Sequence, residues 1–444
     1  MAIRRIRLSG RVLLAAVFAV SLAARLPYVL TIPMAQIGRA DAREYDDLAR
    51  AICTGRGFVR QDGRNLFGPR PAHEAPAATG RAPLYPAFLC LLYKVGLGWR
   101  GAVVAQAVLD AAGVCVLAWL AAQRWGPRAG LAAGLFGAAS PYLIYHTGWL
   151  MTETLSTFLV VASLWFWHRS LQRPHVMGAA VLGVCLGAAG MTRPTLLVVG
   201  MAFALVWTVR ALWGRRRELA LVAGMLAAAF VTLTPWMEYN RRTLGVFLPT
   251  TTAAQYNVYW GWNPWLLTMY ETDDPHAYDR ADEAAHRHRT ELYEKYKHLP
   301  PWERALKFQA EGMRYIREHP WDALRLGAYK FAHFFQPGMR LLPAGRIHSS
   351  RWKVAVSWIW GSILFAAALG GALRWARRDG ALFAGLFLMV LGAGLMHAMV
   401  FSELRYRIPF VEPVAVLYAG ALFARAPRSA RDESAATSKT SEES

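Results

Sequence analysis

Cysteine is scarce in this chain, with four among 444 residues. Cys115 and Cys185 lie inside apolar runs and read as small core residues. Cys53 and Cys90 share one segment and are able to pair, but spacing alone does not decide it. No cysteines stand at metal-ligand spacing, and neither a dinucleotide glycine fingerprint nor a P-loop occurs. Charge is also in short supply. Charged residues make up 18% of the chain, against about a quarter in soluble domains. Acidic residues number only 29 beside 50 basic ones. The hydropathy pattern has no internal repeat, which many transporters carry.

What is there is apolar: 55% of the residues, gathered in blocks. Runs near 12–30, 101–122, 129–150, 154–168, 176–191, 195–213, 219–236, 354–373, 381–401 and 408–424 stand out. Each approaches the roughly 20 residues that cross about 30 Å of hydrocarbon. Only helices satisfy their own backbone in lipid. The expected fold is therefore all-α and integral to the membrane, with about ten transmembrane helices. The first run continues to Ile32, past the reach of a cleavable signal, and reads as a span.

The net charge of +21 would suggest nucleic acid in a soluble protein. Here the arginines track the membrane, so the bilayer and not nucleic acid is the expected partner. Clusters at Arg4–Arg11, Arg124 and Arg128, Arg169 and Arg173, Arg210–Arg217, Arg374–Arg378 and Arg425–Arg431 fall at every second exit. That is the positive-inside pattern, and it puts both termini in the cytoplasm. The outer segments are then 34–100 and 237–351. The first carries nine basic residues over 34–99, which the pattern does not explain.

The expected organisation is an N-terminal transmembrane module over 1–236, a periplasmic loop region over 237–351, C-terminal transmembrane helices over 352–425 and a disordered cytoplasmic tail over 426–444. Within the first outer segment, Tyr45, Leu48, Ala49 and Ile52 recur at helical spacing, and Gly55 and Gly57 end the pattern. This predicts an amphipathic interfacial helix. A second is expected in RAPLYPAFLCLLYKVGLG. The second outer segment begins with little helical periodicity. It then carries two amphipathic patterns: Trp302, Leu306, Gln309, Met313 and Ile316, then Trp321, Leu324, Ala328, Phe331 and Phe335. Their aromatics suit residence among lipid headgroups.

Ionisable groups at membrane depth are costly and are the default functional candidates. Asp41, Glu153, Arg193, Glu403, Arg405 and Arg407 all fall at outer helix ends in this topology. Carboxylates and guanidinium groups around one outward cavity suit an anionic, lipid-linked substrate. The plainer alternatives are that Arg405 and Arg407 snorkel to headgroups, and that Glu153 answers a helix dipole. Asp110, near mid-span, fits a helix–helix hydrogen bond as well as a site. His286 and His288, two apart, share no helix face and read as solvated.

Four stretches carry a family resemblance. They are Asp41 with Tyr45, Leu48, Ala49, Gly55, Gly57 and Phe58; RAPLYPAFLCLLYKVGLG; TPWMEYNRRTLGVFLPTTTAAQYNVYWGWNP; and ELRYRIPFVEP. In their order and topological positions they resemble the GT-C superfamily of polyprenol-phosphate-sugar-dependent glycosyltransferases. The branch of protein O-mannosyltransferases and lipid A aminoarabinose transferases is the nearest in pattern. The resemblance implies an outer cavity, a sugar donor on a polyprenyl phosphate, and Asp41 as the match to the catalytic aspartate of the first outer loop. Where that family often has a second acidic residue directly after the aspartate, this chain has Ala42, with Glu44 three positions on.

The expectation is an inverting transferase on the outer face of a bacterial inner membrane. Asp41 is the general base, and Glu44 and Glu153 are further catalytic candidates. Arg193, Arg405, Arg407 and Lys330 are the candidates for the donor phosphate. The acceptor is a lipid, protein or glycan. No cofactor is required, and a divalent metal is left open. The rival readings are a lipid or sugar transporter, or a non-catalytic envelope assembly protein on the same fold.

Overall fold

The structure is a computed structural model that describes residues 10–33, 40–60, 64–65, 68–69, 78–272, 274–339 and 351–425. The tail expected at 426–444 lies outside the described residues. In chain order the helices are α1 (Gly10–Thr31), α2 (Ala40–Cys53), α3 (Leu84–Lys94), α4 (Gly98–Trp125), α5 (Pro127–Ala139), α6 (Pro141–Thr147), α7 (Glu153–Gln172), α8 (Val176–Thr192) and α9 (Leu197–Leu212). They continue with α10 (Glu218–Leu244), α11 (Ala253–Gly261), α12 (Pro264–Glu271), α13 (Pro275–Tyr296), α14 (Pro301–Glu318), α15 (Pro320–Phe334), α16 (Arg351–Trp375), α17 (Gly380–Met399) and α18 (Ile408–Leu422). One antiparallel pairing of two-residue strands, Arg64–Asn65 with Gly68–Pro69, interrupts the series.

The chain is all-α in its architecture and carries membrane-spanning helices. Among the described residues six are long and apolar enough to cross a bilayer: α1, α4, α9 with the turn before it, α10, α16 and α17. The expected count of about ten is therefore not reached by length and composition. The run over 129–150 is broken, because Ser140 caps a new helix and Pro141 opens it. α8 and α18 are short, at 17 and 15 residues. α18 is buried on nearly every side, packed among α4, α5, α7 and α16. A helix apolar all round belongs in such a place.

Glycines let these helices close up. A Cβ at Gly183 of α8 would lie 2.1 Å from the Met225 carbonyl of α10, and one at Gly371 of α16 would lie 1.9 Å from the Tyr418 carbonyl of α18. Small residues at helix contacts are how membrane helices gain packing without a hydrophobic drive. One buried ion pair crosses the bundle. Arg25 of α1 holds Asp110 of α4 and donates to the carbonyls of Ser21, Gly137 and Ala138. Asp110 is thus a helix–helix tie.

The second outer segment is more helical than its composition predicts. α11, α12 and α13 fill the stretch with weak periodicity. α12 and α13 start by the same device, a capping Asn263 or Asp274 followed by proline. The two expected amphipathic helices are α14 and α15. The start of the predicted apolar line of α15 points outward, with Trp321 and Leu324 77% and 63% exposed, while Phe335 at its end packs on the main core. The inward line of α15 is Ala323, Leu326, Lys330 and Phe334.

Candidate active site

α2 places Asp41 in its first turn, where the helix dipole favours a carboxylate. Leu48, Ala49 and the ring of Tyr45 are buried, and Gly55 and Gly57, both at positive φ, turn the chain away after the helix. α3 clamps α2 from one side. The Tyr45 ring meets Tyr85 edge-on at 5.1 Å. The Tyr93 hydroxyl donates to Asp46 at 2.6 Å. A Cys53–Cys90 disulfide joins the two helices, with Cα atoms 5.3 Å apart. α3 is itself fixed to α4: the Tyr85 hydroxyl donates to Gln106 at 2.8 Å, and Gln106 donates to the carbonyls of Thr147 and Trp149. The carboxylate of Asp41 therefore stands on a braced platform.

Above it lies a cavity of about 280 Å³, lined among others by Asp41, Arg81, Glu153, Arg193, Arg405 and Tyr406. Thr250, Thr251 and Asn257 of the second outer segment close another side. That segment is held by residues of the third sequence stretch. Trp236 donates to the Thr250 carbonyl, and Asn240 donates to the carbonyls of Leu248 and Thr250. Gly245, at φ 75°, ends α10 in the left-handed conformation that lets the chain reverse.

Asp41 is flanked by two guanidinium groups. Arg81 pairs with one carboxylate oxygen, and Arg405 donates to the other at 3.0 Å. Burial works to raise the Asp41 pKa, but Arg81 and Arg405 together outweigh it and hold the carboxyl below its ordinary value. Arg81 also pairs with Glu44 at 2.8 Å, and Arg60 takes the other Glu44 oxygen at 2.8 Å. Glu44 does not line the cavity; it acts on Arg81. Glu153 does line it. One oxygen accepts from Arg193 at 3.2 Å and the other is buried without a hydrogen-bond partner. Arg193 and Arg405 both lie over the ring of Tyr406, at 4.8 and 5.2 Å.

Two of the expected phosphate residues are elsewhere. Arg405 and Arg407 lie in one 3-10 turn, Leu404–Arg407. Residues two apart on such a turn point in different directions. Arg407 is fully buried, bound to Glu412 at 3.0 Å and to the carbonyls of Gln336 and Pro337. Its guanidinium lies over the rings of Tyr142 and Phe365. Lys330 is also fully buried, over the Trp262 ring, and donates to the carbonyls of Gly261 and Val400. Burial draws its ammonium down to about 7. Neither lines the cavity, because both are spent on backbone carbonyls.

The residues missed in sequence are Arg81, Arg60 and Tyr406. The signal for the first two was the excess of basic residues in the first outer segment. In the structure Arg81 pairs with Asp41 and Glu44, and Arg60 with Glu44. Among the described residues no three His, Cys, Asp or Glu side chains stand together as a metal site. Chemically, the cavity offers a carboxylate that stays ionised and guanidinium forks that match a phosphate.

Residues 80–237 match the family described as dolichyl-phosphate-mannose-protein mannosyltransferase. No curated protein matches the chain in sequence. Among solved structures it is similar to the archaeal oligosaccharyltransferase AglB from Archaeoglobus fulgidus in complex with an inhibitory peptide and a dolichol-phosphate. The identity is 13% and the TM-score 0.54, over 93% of this chain and 50% of that one. The apo form of the Archaeoglobus fulgidus enzyme gives 14% and 0.54, over 98% and 54%. The chain thus spans about half the length of that oligosaccharyltransferase. ArnT from Cupriavidus metallidurans bound to undecaprenyl phosphate matches at 17% identity over 93% of this chain and 77% of that one, with a TM-score of 0.40. The family match is confined to residues 80–237, and the likeness to the oligosaccharyltransferase is one of fold.

Proposed function

We propose that this protein is a membrane glycosyltransferase that moves a sugar from a polyprenyl-phosphate donor to an acceptor with inversion, using Asp41 as general base. The observation that carries the reading is the Asp41–Arg405 contact at 3.0 Å in a cavity that also holds Arg81 and Arg193. A carboxylate and several guanidinium groups are then in reach of one reacting centre. Asp41 takes the proton of an acceptor hydroxyl or amine as that atom attacks the anomeric carbon. The bond from that carbon to the phosphate oxygen breaks, and polyprenyl phosphate leaves with the electron pair. Arg193 and Arg405 stabilise the charge that grows on the departing phosphate. Arg81 orients Asp41 and Glu44.

The donor-binding part of the reading gains support from the printed ligand of the similar oligosaccharyltransferase structure, a dolichol-phosphate. We further propose a multi-pass protein of a bacterial inner membrane, with both termini cytoplasmic and the cavity on the outer face. The Cys53–Cys90 disulfide beside Asp41 favours that face, because such bonds persist in oxidising compartments. The test is transfer of a labelled sugar from synthetic polyprenyl phosphate by the purified chain in nanodiscs, given an extract of envelope acceptors. Labelled product supports the reading. Unchanged donor, with labelled lipid or sugar crossing a proteoliposome instead, would favour the transporter.

A further inference from the structure

The Lys330 ammonium stands between the ends of two helices. It donates to the Gly261 carbonyl at 3.0 Å and to the Val400 carbonyl at 3.3 Å. Gly261 is the last residue of α11, and Val400 follows the last residue of α17. Helix C-termini carry unpaired carbonyls and the negative end of the dipole, so two of them brought together repel. A cation between them removes the repulsion. The approach is close: a Cβ at Gly261 would lie 1.3 Å from the Val400 carbonyl oxygen. Trp262 completes the joint. The ammonium lies 3.3 Å from the centre of its ring, and its indole N–H donates to the Met399 carbonyl.

This joint adjoins the cavity of Asp41. One turn before Gly261, Asn257 of α11 lines that cavity, as Ala253 and Ala254 do. His397 of α17 lines it too, with Val400 and Phe401 after the helix and Arg405 further along the same loop. α15 meets this wall a second time at Phe334, which stacks on the His397 ring at 5.1 Å. Lys330 is fully buried, and among the described residues no carboxylate pairs with it. An apolar side chain would serve packing better there, because burying an ammonium is costly.

We propose that Lys330 is a positioning residue: it fixes the α11 wall of the cavity against the α17 wall, and so sets where Arg405 stands for the donor phosphate. The first half concerns the shape of the cavity alone; the second rests on the transferase reading above. Without the ammonium, two buried carbonyls face each other unpaired and must part to reach water. The parting is carried to Asn257 on one side and to Phe401 and Arg405 on the other.

The experiment is amide hydrogen exchange on the full chain in nanodiscs, beside titration with synthetic polyprenyl phosphate. In Lys330→Met, segments 253–262 and 396–407 should exchange at least tenfold faster, with the rest of the chain as in wild type. Its affinity for polyprenyl phosphate should fall at least tenfold. Trp262→Phe removes the indole bond to Met399 and should move the same two segments and the affinity in the same direction, so it carries the test if Lys330→Met does not fold. Arg407→Gln is the comparison. It also takes a buried cation from carbonyls, and its folded fraction should bind polyprenyl phosphate as wild type does. Wild-type exchange of both segments in both variants overturns the proposal. Faster exchange with wild-type affinity overturns the positioning role, and so does an equal loss of affinity in Arg407→Gln. If the wild-type chain binds no polyprenyl phosphate while Lys330→Met loosens both segments, the donor reading fails and the wall-fixing role stands.

Discussion

Asp41 and Arg405 stand 364 positions apart in the chain and meet at 3.0 Å in the cavity wall. The first turn of α2 and the turn before α18 thereby close a single site. Arg81 holds the other oxygen of the same carboxylate. Removing either cation should change the acid–base behaviour of Asp41 more than the fold around it.

The pH dependence follows from that pairing. Arg81 and Arg405 hold the Asp41 carboxyl below its ordinary value, so the proposed base loses its charge at a lower pH than a free carboxylate would. Arg405→Gln and Arg81→Gln each remove one stabilising cation. In both, the acid limb of kcat/KM for the acceptor should move to higher pH. The stability linkage has the same sign. The depressed pKa stabilises the fold above the unfolded value, and that contribution is lost as pH falls through the folded one. Unmoved acid limbs in both variants would show that Asp41 is not the titrating base.

Arg405 and Arg407 should separate cleanly in a comparison of glutamine variants. Arg407 is sealed against Glu412 and two carbonyls. Its loss leaves Glu412 buried and unpaired, a change of about 3–5 kcal/mol in stability. Thermal unfolding in detergent should detect it, with the donor KM of the surviving folded protein unchanged. Arg405→Gln should unfold near the wild-type temperature and raise the donor KM or lower kcat.

The Arg25–Asp110 pair inside the bundle invites a double-mutant cycle. Arg25→Met or Asp110→Leu alone strands a charge among apolar helices and should cost about 3–5 kcal/mol. The two together should cost much less than the sum of the singles. Additive losses would mean that the pair is not coupled.

The Cys53–Cys90 disulfide braces the helix that bears Asp41. Reduction with a membrane-permeant phosphine, or Cys53→Ser with Cys90→Ser, should destabilise the protein by about 2–4 kcal/mol. Activity should fall on reduction, and the serine double variant should be insensitive to the reductant. Activity that is equal before and after reduction in the wild type would show that α2 needs no such brace.

Much of this architecture is legible in sequence because it follows local rules. α2 begins and ends where its apolar spacing and its two glycines require. α3 occupies the apolar half of RAPLYPAFLCLLYKVGLG. Asp41, Glu153, Arg193 and Arg405 converge on one cavity although they come from two helix starts, one helix end and the turn before the last helix. The parts not read are long-range or rotational. Which of Arg405 and Arg407 faces the cavity depends on the phase of one 3-10 turn. The partnership of Arg81 with Asp41 and Glu44 depends on how α3 docks on α4. α12 and α13 did carry a local signal in Asn263-Pro264 and Asp274-Pro275, which outweighs their weak periodicity.

The central claim is that Asp41 is the base. Asp41→Asn keeps the side chain's size and most of its hydrogen bonding but removes its basicity. The most direct measurement compares Asp41→Asn, Glu44→Gln and Glu153→Gln with wild type in transfer of a labelled sugar from polyprenyl phosphate, alongside donor binding. The account predicts a fall in turnover of on the order of a hundredfold or more for Asp41→Asn, with donor binding retained. Near wild-type turnover in Asp41→Asn, with loss in Glu153→Gln, would contradict it and move the base to the carboxylate that Arg193 holds.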